Sequence, residues 1–179
     1  MKLYILPGNS PENRNWEEKL KKNLEGKINE IYLQYYDHWQ TGEKIIDLDR
    51  ELEKLLGEIN VPEYLLLGKS AGVLVILKGI FENKLNPKGC IFLGTPVLWA
   101  RANKFSIDEY LTNFQTPTIF IHQSEDPAIS AKDLKEILLN LKVKNYEFIV
   151  ISGNDHSYDA FPLIIPHIFR FFKKLNHSL

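Results

Sequence analysis

The sequence predicts an α/β protein in which helices cover both faces of a parallel, six-stranded sheet. Short apolar runs alternate along the chain with segments of helical periodicity, which is the pattern of repeated βαβ units. The runs are apolar almost without interruption, as expected of strands that are buried on both faces. The chain has 179 residues, which fits a single domain with a substantial core. We therefore expect one three-layer domain, residues 1–179, with right-handed crossovers.

Six short apolar runs are predicted to be the strands, because they are rich in leucine, β-branched and aromatic residues and are bounded by turn-forming or polar residues. Pro7 and Gly8 close the first run, and Pro117 introduces the fifth. In chain order the predicted strands are Lys2–Leu6, Glu30–Tyr36, Glu63–Leu67, Gly89–Leu93, Thr118–His122 and Tyr146–Ile151.

Five segments are predicted to be helices from the spacing of their apolar residues. In the second segment, Leu48, Leu52 and Leu55 recur at helical intervals with lysines and glutamates between them. Ser130 is the expected N-cap of the fourth. In chain order the predicted helices are Trp16–Leu24, residues 47–59, a segment that follows residue 72 and ends near Phe81, Ala131–Leu141 and Pro162–Leu175.

The segment Val97–Gln115 departs from this alternation. It places Trp99, Phe105, Tyr110 and Phe114 among charged residues between two predicted strands. We expect a short insertion here, either a lid or a longer helical crossover. Aromatic residues in such a segment pack in the core more often than they line a substrate cavity, so core packing is the favoured interpretation.

The charge balance gives no indication of a nucleic-acid-binding surface. The chain has 22 lysines and arginines against 23 aspartates and glutamates, and its sequence pI is about 6.5. Its two short lysine clusters lie on predicted helices, where a solvated face is the ordinary interpretation. We therefore expect no nucleic-acid partner.

The single cysteine and the hydropathy pattern predict a soluble, cytoplasmic protein. Cys90 is the only cysteine, so no intramolecular disulfide can form, and its place within a predicted strand favours a buried thiol. No apolar run reaches the length of a membrane span, and the first residues form a strand pattern without the features of a signal peptide. We expect no membrane partner.

The most informative motif is Gly68-Lys69-Ser70-Ala71-Gly72, a G-x-S-x-G sequence. It follows the apolar run Tyr64–Leu67 and precedes the apolar stretch Val73–Leu77, which places it at a turn between a strand and a helix. In a nucleophile elbow such a turn holds the serine hydroxyl above the end of a parallel sheet. The motif alone is also compatible with an ordinary glycine-rich turn.

An acid and a base follow this serine in the chain order of a Ser-Asp-His triad. Asp126 follows the fifth predicted strand, and His156 lies in a polar loop after the sixth. Side chains at the carboxyl ends of parallel strands meet at one edge of the sheet. We therefore predict that Ser70, Asp126 and His156 lie close together.

Other acids and histidines compete for these roles. Glu125 is the main alternative to Asp126, while Asp155 and Asp159 could instead cap the last helix, and Asp133 suits the first turn of its own helix. His122 continues a strand, which favours a packed, hydrogen-bonded side chain. The remaining histidines are His38 and, on or directly after the last predicted helix, His167 and His177.

With these motifs the chain resembles the α/β-hydrolase family over nearly its whole length. The greatest similarity is to small, lid-poor serine hydrolases of the retinoblastoma-binding-protein type. It rests on the loop Leu6–Asn9, the motif Gly68–Gly72, the acid loop that ends in Asp126-Pro127 and the loop Gly153–His156. The resemblance implies a three-layer sandwich with strand order 2-1-3-4-5-6 that lacks the family's first two strands. Lys69 stands where many members carry histidine or another residue.

The resemblance also implies a serine esterase or thioesterase that acts on a small-molecule ester or acyl substrate. Ser70 would be the nucleophile, His156 the base and Asp126 the orienting acid. The oxyanion hole would consist of the N–H groups of Ala71 and Asn9. An amidase or peptidase with the same triad and a non-catalytic binding protein on the same fold are the alternatives.

No cofactor or metal is expected. The sequence contains no His-x-x-x-His motif and no cysteine pair, and Gly68-Lys69-Ser70 lacks the upstream glycine of a phosphate-binding P-loop.

Overall fold

The structure, a computed structural model that describes residues 1–176, contains a six-stranded parallel sheet of order β2-β1-β3-β4-β5-β6. The predicted fold class and strand order are therefore confirmed. The strands are β1 Lys2–Leu6, β2 Ile31–Leu33, β3 Tyr64–Lys69, β4 Gly89–Leu93, β5 Thr118–Gln123 and β6 Tyr146–Ile151.

Eight helices connect and follow the strands within the described residues. They are α1 Asn13–Leu24, α2 His38–Thr41, α3 Leu48–Glu58, α4 Ala71–Phe81, α5 Val97–Ala102, α6 Ile107–Leu111, α7 Ala131–Asn140 and α8 Phe161–Asn176. His177 lies outside the described residues. None of the helices among residues 1–176 is long and apolar enough to cross a lipid bilayer.

The sheet separates two hydrophobic cores, because successive side chains of a strand point to opposite faces. Leu3 and Ile5 of β1 pack with the helices α1 and α8 on one face. Tyr4 and Leu6 of the same strand pack with α3 to α7 on the other face. Strands β1, β3, β4 and β5 are buried throughout except for the partly exposed Lys2, which explains their uninterrupted apolar sequences.

The second strand is shorter than the prediction of Glu30–Tyr36. It lies at the edge of the sheet, where Ile31–Leu33 pair with β1. The chain then leaves the sheet, and Tyr36 donates a hydrogen bond from its hydroxyl to the carbonyl of Pro7 at 2.8 Å. The four-residue helix α2 that follows was not predicted, because so short a segment carries no apolar periodicity.

The segment Val97–Gln115 is a helical crossover built from α5 and α6. Phe114 is buried, and its ring centroid lies 6.2 Å from that of Phe92 in β4. Trp99, Phe105 and Tyr110 are partly buried and pack against the same core. These aromatic residues therefore pack in or against the core, as the sequence favoured. Trp99 also lines a cavity that is described below.

A buried carboxyl group on α1 gives the fold a testable dependence on pH. Glu17 is fully buried, and neither of its carboxyl oxygens has a hydrogen-bond partner in the structure. Burial, with a smaller contribution from Glu18, raises the pKa of Glu17 to about 9. Because the folded protein then binds this proton more tightly than the unfolded chain, stability falls as pH rises from about 4.5 to about 9.

We expect Glu17→Gln to remove most of this pH dependence. Between pH 6 and 8 the free energy of unfolding of the wild type should fall by roughly 2–3 kcal/mol more than that of the variant, since each pH unit is worth ~1.4 kcal/mol. Urea unfolding followed by circular dichroism at both pH values measures this difference. Glu25→Gln is the control, because Glu25 is exposed at the end of the same helix. Parallel pH profiles for the wild type and Glu17→Gln would contradict the expectation.

Candidate active site

Ser70 lies in a strained turn between β3 and α4. Its φ angle is +50°, a left-handed value that is unusual for a residue other than glycine. The Ser70 N–H donates a hydrogen bond to the carbonyl of Leu93 at 2.9 Å, which ties the turn to the end of the neighbouring strand β4. This strand, turn and helix have the geometry of a nucleophile elbow, as the motif predicted.

The two glycines of the motif allow the chain to pack closely around this turn. A Cβ atom on Gly72 would collide with the carbonyl of Leu6 at the end of β1. A Cβ atom on Gly68 would lie 2.7 Å from the backbone nitrogen of Val73 in α4. The first turn of α4 therefore approaches the sheet so closely that any side chain at position 72 or 68 would force the backbone to move.

The three side chains that the sequence singled out form one chain of hydrogen bonds. Ser70 Oγ lies 2.9 Å from His156 Nε2. His156 Nδ1 lies 2.8 Å from Asp126 Oδ2 and 2.9 Å from Asp126 Oδ1. An ionised carboxylate can only accept, so the ring carries its proton on Nδ1 and Nε2 is free to accept from the serine hydroxyl.

Asp126 is held as a buried carboxylate. Its side chain is completely shielded from solvent, and it accepts hydrogen bonds from the Ala128 N–H at 2.8 Å and the Tyr158 hydroxyl at 2.7 Å. Burial by itself would raise the pKa of Asp126, but the hydrogen bonds from His156 and Tyr158 outweigh it and leave the pKa lowered. Glu125, the main competitor, is exposed, and among residues 1–176 the side-chain hydrogen bonds of His156 go to Asp126 and Ser70 instead.

Tyr158 supports Asp126 and was not predicted from the sequence. Its hydroxyl donates to Asp126 and accepts from the backbone N–H of Gln123 at 3.1 Å, so it connects the acid loop to β5. The ring stands edge-on to His156 with centroids 5.8 Å apart, and the Tyr158 backbone has a φ of +57°. Burial is the main cause of the raised pKa of this hydroxyl, which keeps it protonated as a donor. No pattern in the sequence distinguishes this tyrosine from the others.

Asp155, Asp133 and His122 make other hydrogen bonds. Asp155 accepts from the N–H and the hydroxyl of Ser157, while Asp133 contacts the hydroxyl of Ser130, the N-cap of α7. His122 is buried and its Nε2 donates to the carbonyl of Ile129 at 2.8 Å, as the prediction of a packed histidine required. Burial lowers its pKa.

Asn9 is one of the two expected oxyanion-hole residues. Both its backbone carbonyl and its side-chain amide are hydrogen-bonded to the segment that follows β2. Its carbonyl faces Nε2 of His38 at 2.7 Å and accepts from the indole of Trp39 at 2.8 Å. Its side chain donates to the carbonyl of Lys44 and accepts from the N–H of Ile46, both at 2.8 Å. Within residues 1–176 no acceptor is bonded to the backbone N–H of Asn9.

Ala71, the other expected oxyanion-hole residue, is the first residue of α4 and directly follows Ser70. Its N–H has no hydrogen-bond acceptor in the described part of the chain. Unpaired N–H groups at the start of a helix favour negative charge. Both predicted donors are thus available at the same edge of the sheet as the serine hydroxyl.

A cavity of about 340 Å³ opens beside Ser70 and His156. Its other lining residues are Gly8, Asn9, Ser10, Asn13, Lys69, Trp99 and Ala128. A second cavity of about 320 Å³ lies next to it and shares Asn13 and Lys69. Within the described part of the chain, no three His, Cys, Asp or Glu side chains gather in a way that could hold a metal ion.

The comparison with known proteins rests on structure, because no known protein-family model matches the chain. No curated protein matches it in sequence either. Mouse α/β-hydrolase domain-containing protein 10 superposes with a TM-score of 0.67 at 15% identity, over 97% of this chain and 90% of that one. The chain has the α/β-hydrolase fold. In this fold the carboxyl edge of the sheet, where Ser70 and His156 lie, is the usual place for a ligand.

Two further solved structures share this fold. A protein from Pectobacterium atrosepticum described as a YdeN-like hydrolase has a TM-score of 0.70 at 16% identity, over 97% of this chain and 91% of that one. The N-formylmaleamic acid deformylase Nfo from Pseudomonas putida has a TM-score of 0.67 at 12% identity, over 93% and 91%. At these identities the likeness establishes the α/β-hydrolase fold of this chain.

Proposed function

We propose that this protein is a serine hydrolase that cleaves a small ester or thioester through an acyl-enzyme on Ser70. The observation that carries the proposal is the unbroken chain of hydrogen bonds from Ser70 Oγ through the His156 ring to the buried Asp126, with both contacts of His156 between 2.8 and 2.9 Å. A serine hydroxyl is a weak nucleophile until an adjacent base accepts its proton, and this arrangement supplies that base.

In the acylation step, Ser70 Oγ attacks the carbonyl carbon of the substrate while its proton passes to Nε2 of His156. The C–O or C–S bond to the leaving group then breaks, and the imidazolium returns the proton to the departing oxygen or sulfur. Asp126 remains ionised throughout and stabilises the imidazolium. In the deacylation step, His156 takes a proton from a water molecule as that water attacks the acyl carbon. The bond between the acyl carbon and Ser70 Oγ then breaks, and the imidazolium returns the proton to Oγ, which releases the acid and restores the serine.

The negative charge on the tetrahedral intermediate requires donors that are already in place. The N–H groups of Ala71 and Asn9 are the proposed pair, and their lack of other acceptors supports this assignment. Removing one such donor typically reduces kcat by ~10²–10³-fold. The hydrogen bonds from Trp39 and His38 to the Asn9 carbonyl would hold the orientation of this loop without any rearrangement during the reaction.

A matched panel of p-nitrophenyl esters and p-nitroanilides of the same acyl groups tests the proposed reaction. We expect steady turnover of short-chain esters, because the cavity is small, and a burst of p-nitrophenol equal to the enzyme concentration if deacylation is slower than acylation. Faster turnover of the anilides than of the esters would instead favour the amidase alternative. No turnover of either series at enzyme concentrations in the micromolar range would favour a binding protein on this fold.

A further inference from the structure

We infer that Lys69 binds a carboxylate of the substrate, so that the preferred esters are anionic, with the charge on either the acyl or the alcohol part. This inference rests on the proposed hydrolase function. It starts from the position of the lysine, which directly precedes Ser70 and lines the same cavity as Ser70 and His156. Among the described residues that line this cavity, Lys69 carries the only lysine, arginine, aspartate or glutamate side chain.

Lys69 is a buried cation without an anionic partner. The residue is 6% exposed, yet no carboxylate oxygen of residues 1–176 lies within 4.0 Å of its ammonium group. Lys78 shows the contrast, because its side chain is 14% exposed and makes ion pairs with both Asp49 and Glu82. Burying an unpaired charge is costly, and a carboxylate of a bound ligand would offset that cost at Lys69.

The contacts that Lys69 does make position it without neutralising it. Its Nζ donates to Asn13 Oδ1 at 2.6 Å and lies 5.0 Å from the centroid of the Trp16 ring. An ammonium group has three donors, and Asn13, its one hydrogen-bond acceptor among residues 1–176, leaves the other two for a ligand. Asn13 and Trp16 both belong to α1, so this helix orients the cation beside the cavity.

The charges around Lys69 place the expected anion in the cavity of Ser70 rather than in the neighbouring one. The neighbouring cavity is also lined by Glu12, Lys19 and Asp159. Its two acidic residues therefore balance Lys19 and Lys69 in charge. In the cavity of Ser70, by contrast, Lys69 is accompanied by neutral groups and His156. A carboxylate there would accept a charge-assisted hydrogen bond from the Lys69 ammonium group.

Two substrate pairs test the inference, each pair an acid and its methyl ester. The acyl pair is mono-p-nitrophenyl adipate with methyl p-nitrophenyl adipate, and the alcohol pair is 4-carboxyphenyl butyrate with 4-(methoxycarbonyl)phenyl butyrate. In each pair the ratio of kcat/KM for the acid to that for the methyl ester measures the selectivity for charge. We expect a ratio of ~10 or more in at least one pair, the magnitude typical of one charge-assisted hydrogen bond.

Variants assign this selectivity to Lys69. Lys69→Met should lower the ratio at least tenfold toward 1, and Lys69→Arg should retain most of it because the charge remains. Lys19→Met is the control, because Lys19 lines the neighbouring cavity and not that of Ser70. If Lys69→Met does not fold, the wild-type ratio and Lys69→Arg still decide the outcome.

A pH profile separates ligand binding from a merely structural role. Burial lowers the pKa of Lys69 to about 8, against the opposing effect of nearby carboxylates. The charged and titratable groups around it are Glu12, Lys19, Asp126, Asp155, His156 and Asp159. The wild-type ratio should therefore hold below pH 8 and decline above it as Lys69 loses its proton, whereas Lys69→Arg should keep its ratio to higher pH.

The possible failures are distinguishable. If the wild type hydrolyses the methyl esters but favours neither acid, or if Lys69→Met keeps the preference, the inference about Lys69 is wrong and the hydrolase proposal stands. If neither member of either pair is hydrolysed and Ser70 does not react with an active-site label, the proposed function fails and the inference fails with it.

Discussion

Replacing Ser70 with alanine is expected to lower kcat for p-nitrophenyl ester hydrolysis by ~10⁶-fold, to the level that binding and the oxyanion donors alone provide. In the proposed mechanism the Ser70 hydroxyl forms the bond to the acyl carbon, and the two N–H donors cannot replace it. Loss of Oγ removes one hydrogen bond to His156 and no apolar packing of the buried core. The melting temperature should therefore change little, which separates a loss of chemistry from a loss of folding.

Ser10→Ala is the matched control for this experiment. Ser10 lines the same cavity as Ser70 but has no hydrogen bond to His156. Removal of the Ser10 hydroxyl should change kcat by less than tenfold. Wild-type rates in Ser70→Ala, with the fold intact, would exclude Ser70 as the nucleophile.

Asp126→Asn is expected to reduce kcat by up to ~10⁴-fold with little change in substrate binding. An asparagine amide can donate to Nδ1, which favours the imidazole tautomer with its proton on Nε2. In that tautomer His156 cannot accept the proton of Ser70. The amide also replaces the carboxylate that accepts the hydrogen bond of Tyr158 at 2.7 Å and stabilises the imidazolium.

Glu125→Gln is the control for the acid. Glu125 is adjacent in sequence but exposed, and its side chain makes no hydrogen bond in the described residues. The kcat of Glu125→Gln should stay within a few-fold of the wild-type value, because a solvated carboxylate contributes little. Full activity in Asp126→Asn together with collapse in Glu125→Gln would show that the acid had been assigned to the wrong residue.

Most of the sheet could be predicted from the sequence, because four of its six strands are buried on both faces. The bounds of Gly89–Leu93 and Tyr146–Ile151 are those predicted, since apolar runs with turn residues on both sides define a strand clearly. The prediction was wrong at Glu30–Tyr36, where apolar and aromatic residues continue beyond the three that pair. Tyr36 is buried because it packs in the hydrophobic core after the strand has ended, with its hydroxyl bonded to the Pro7 carbonyl, and sequence periodicity does not distinguish this burial from that of a strand residue.

The proximity of the three proposed reacting groups could be predicted, but the groups that position them could not. Ser70, Asp126 and His156 each follow a strand, so parallel topology alone brings them to one edge. Tyr158 and Trp39 act through single long-range hydrogen bonds to Asp126 and to the Asn9 carbonyl. Such contacts depend on the path of loops, and no local pattern encodes that path.

Labelling with a fluorophosphonate is the most direct test of Ser70 as an activated nucleophile. The reagent should form one covalent adduct per chain, and peptide mapping by mass spectrometry should place it on the peptide that contains Ser70. The adduct should be absent from Ser70→Ala and should form much more slowly in Asp126→Asn. An adduct that persists in Ser70→Ala, or a wild type that remains unlabelled while it turns over esters, would contradict the assignment.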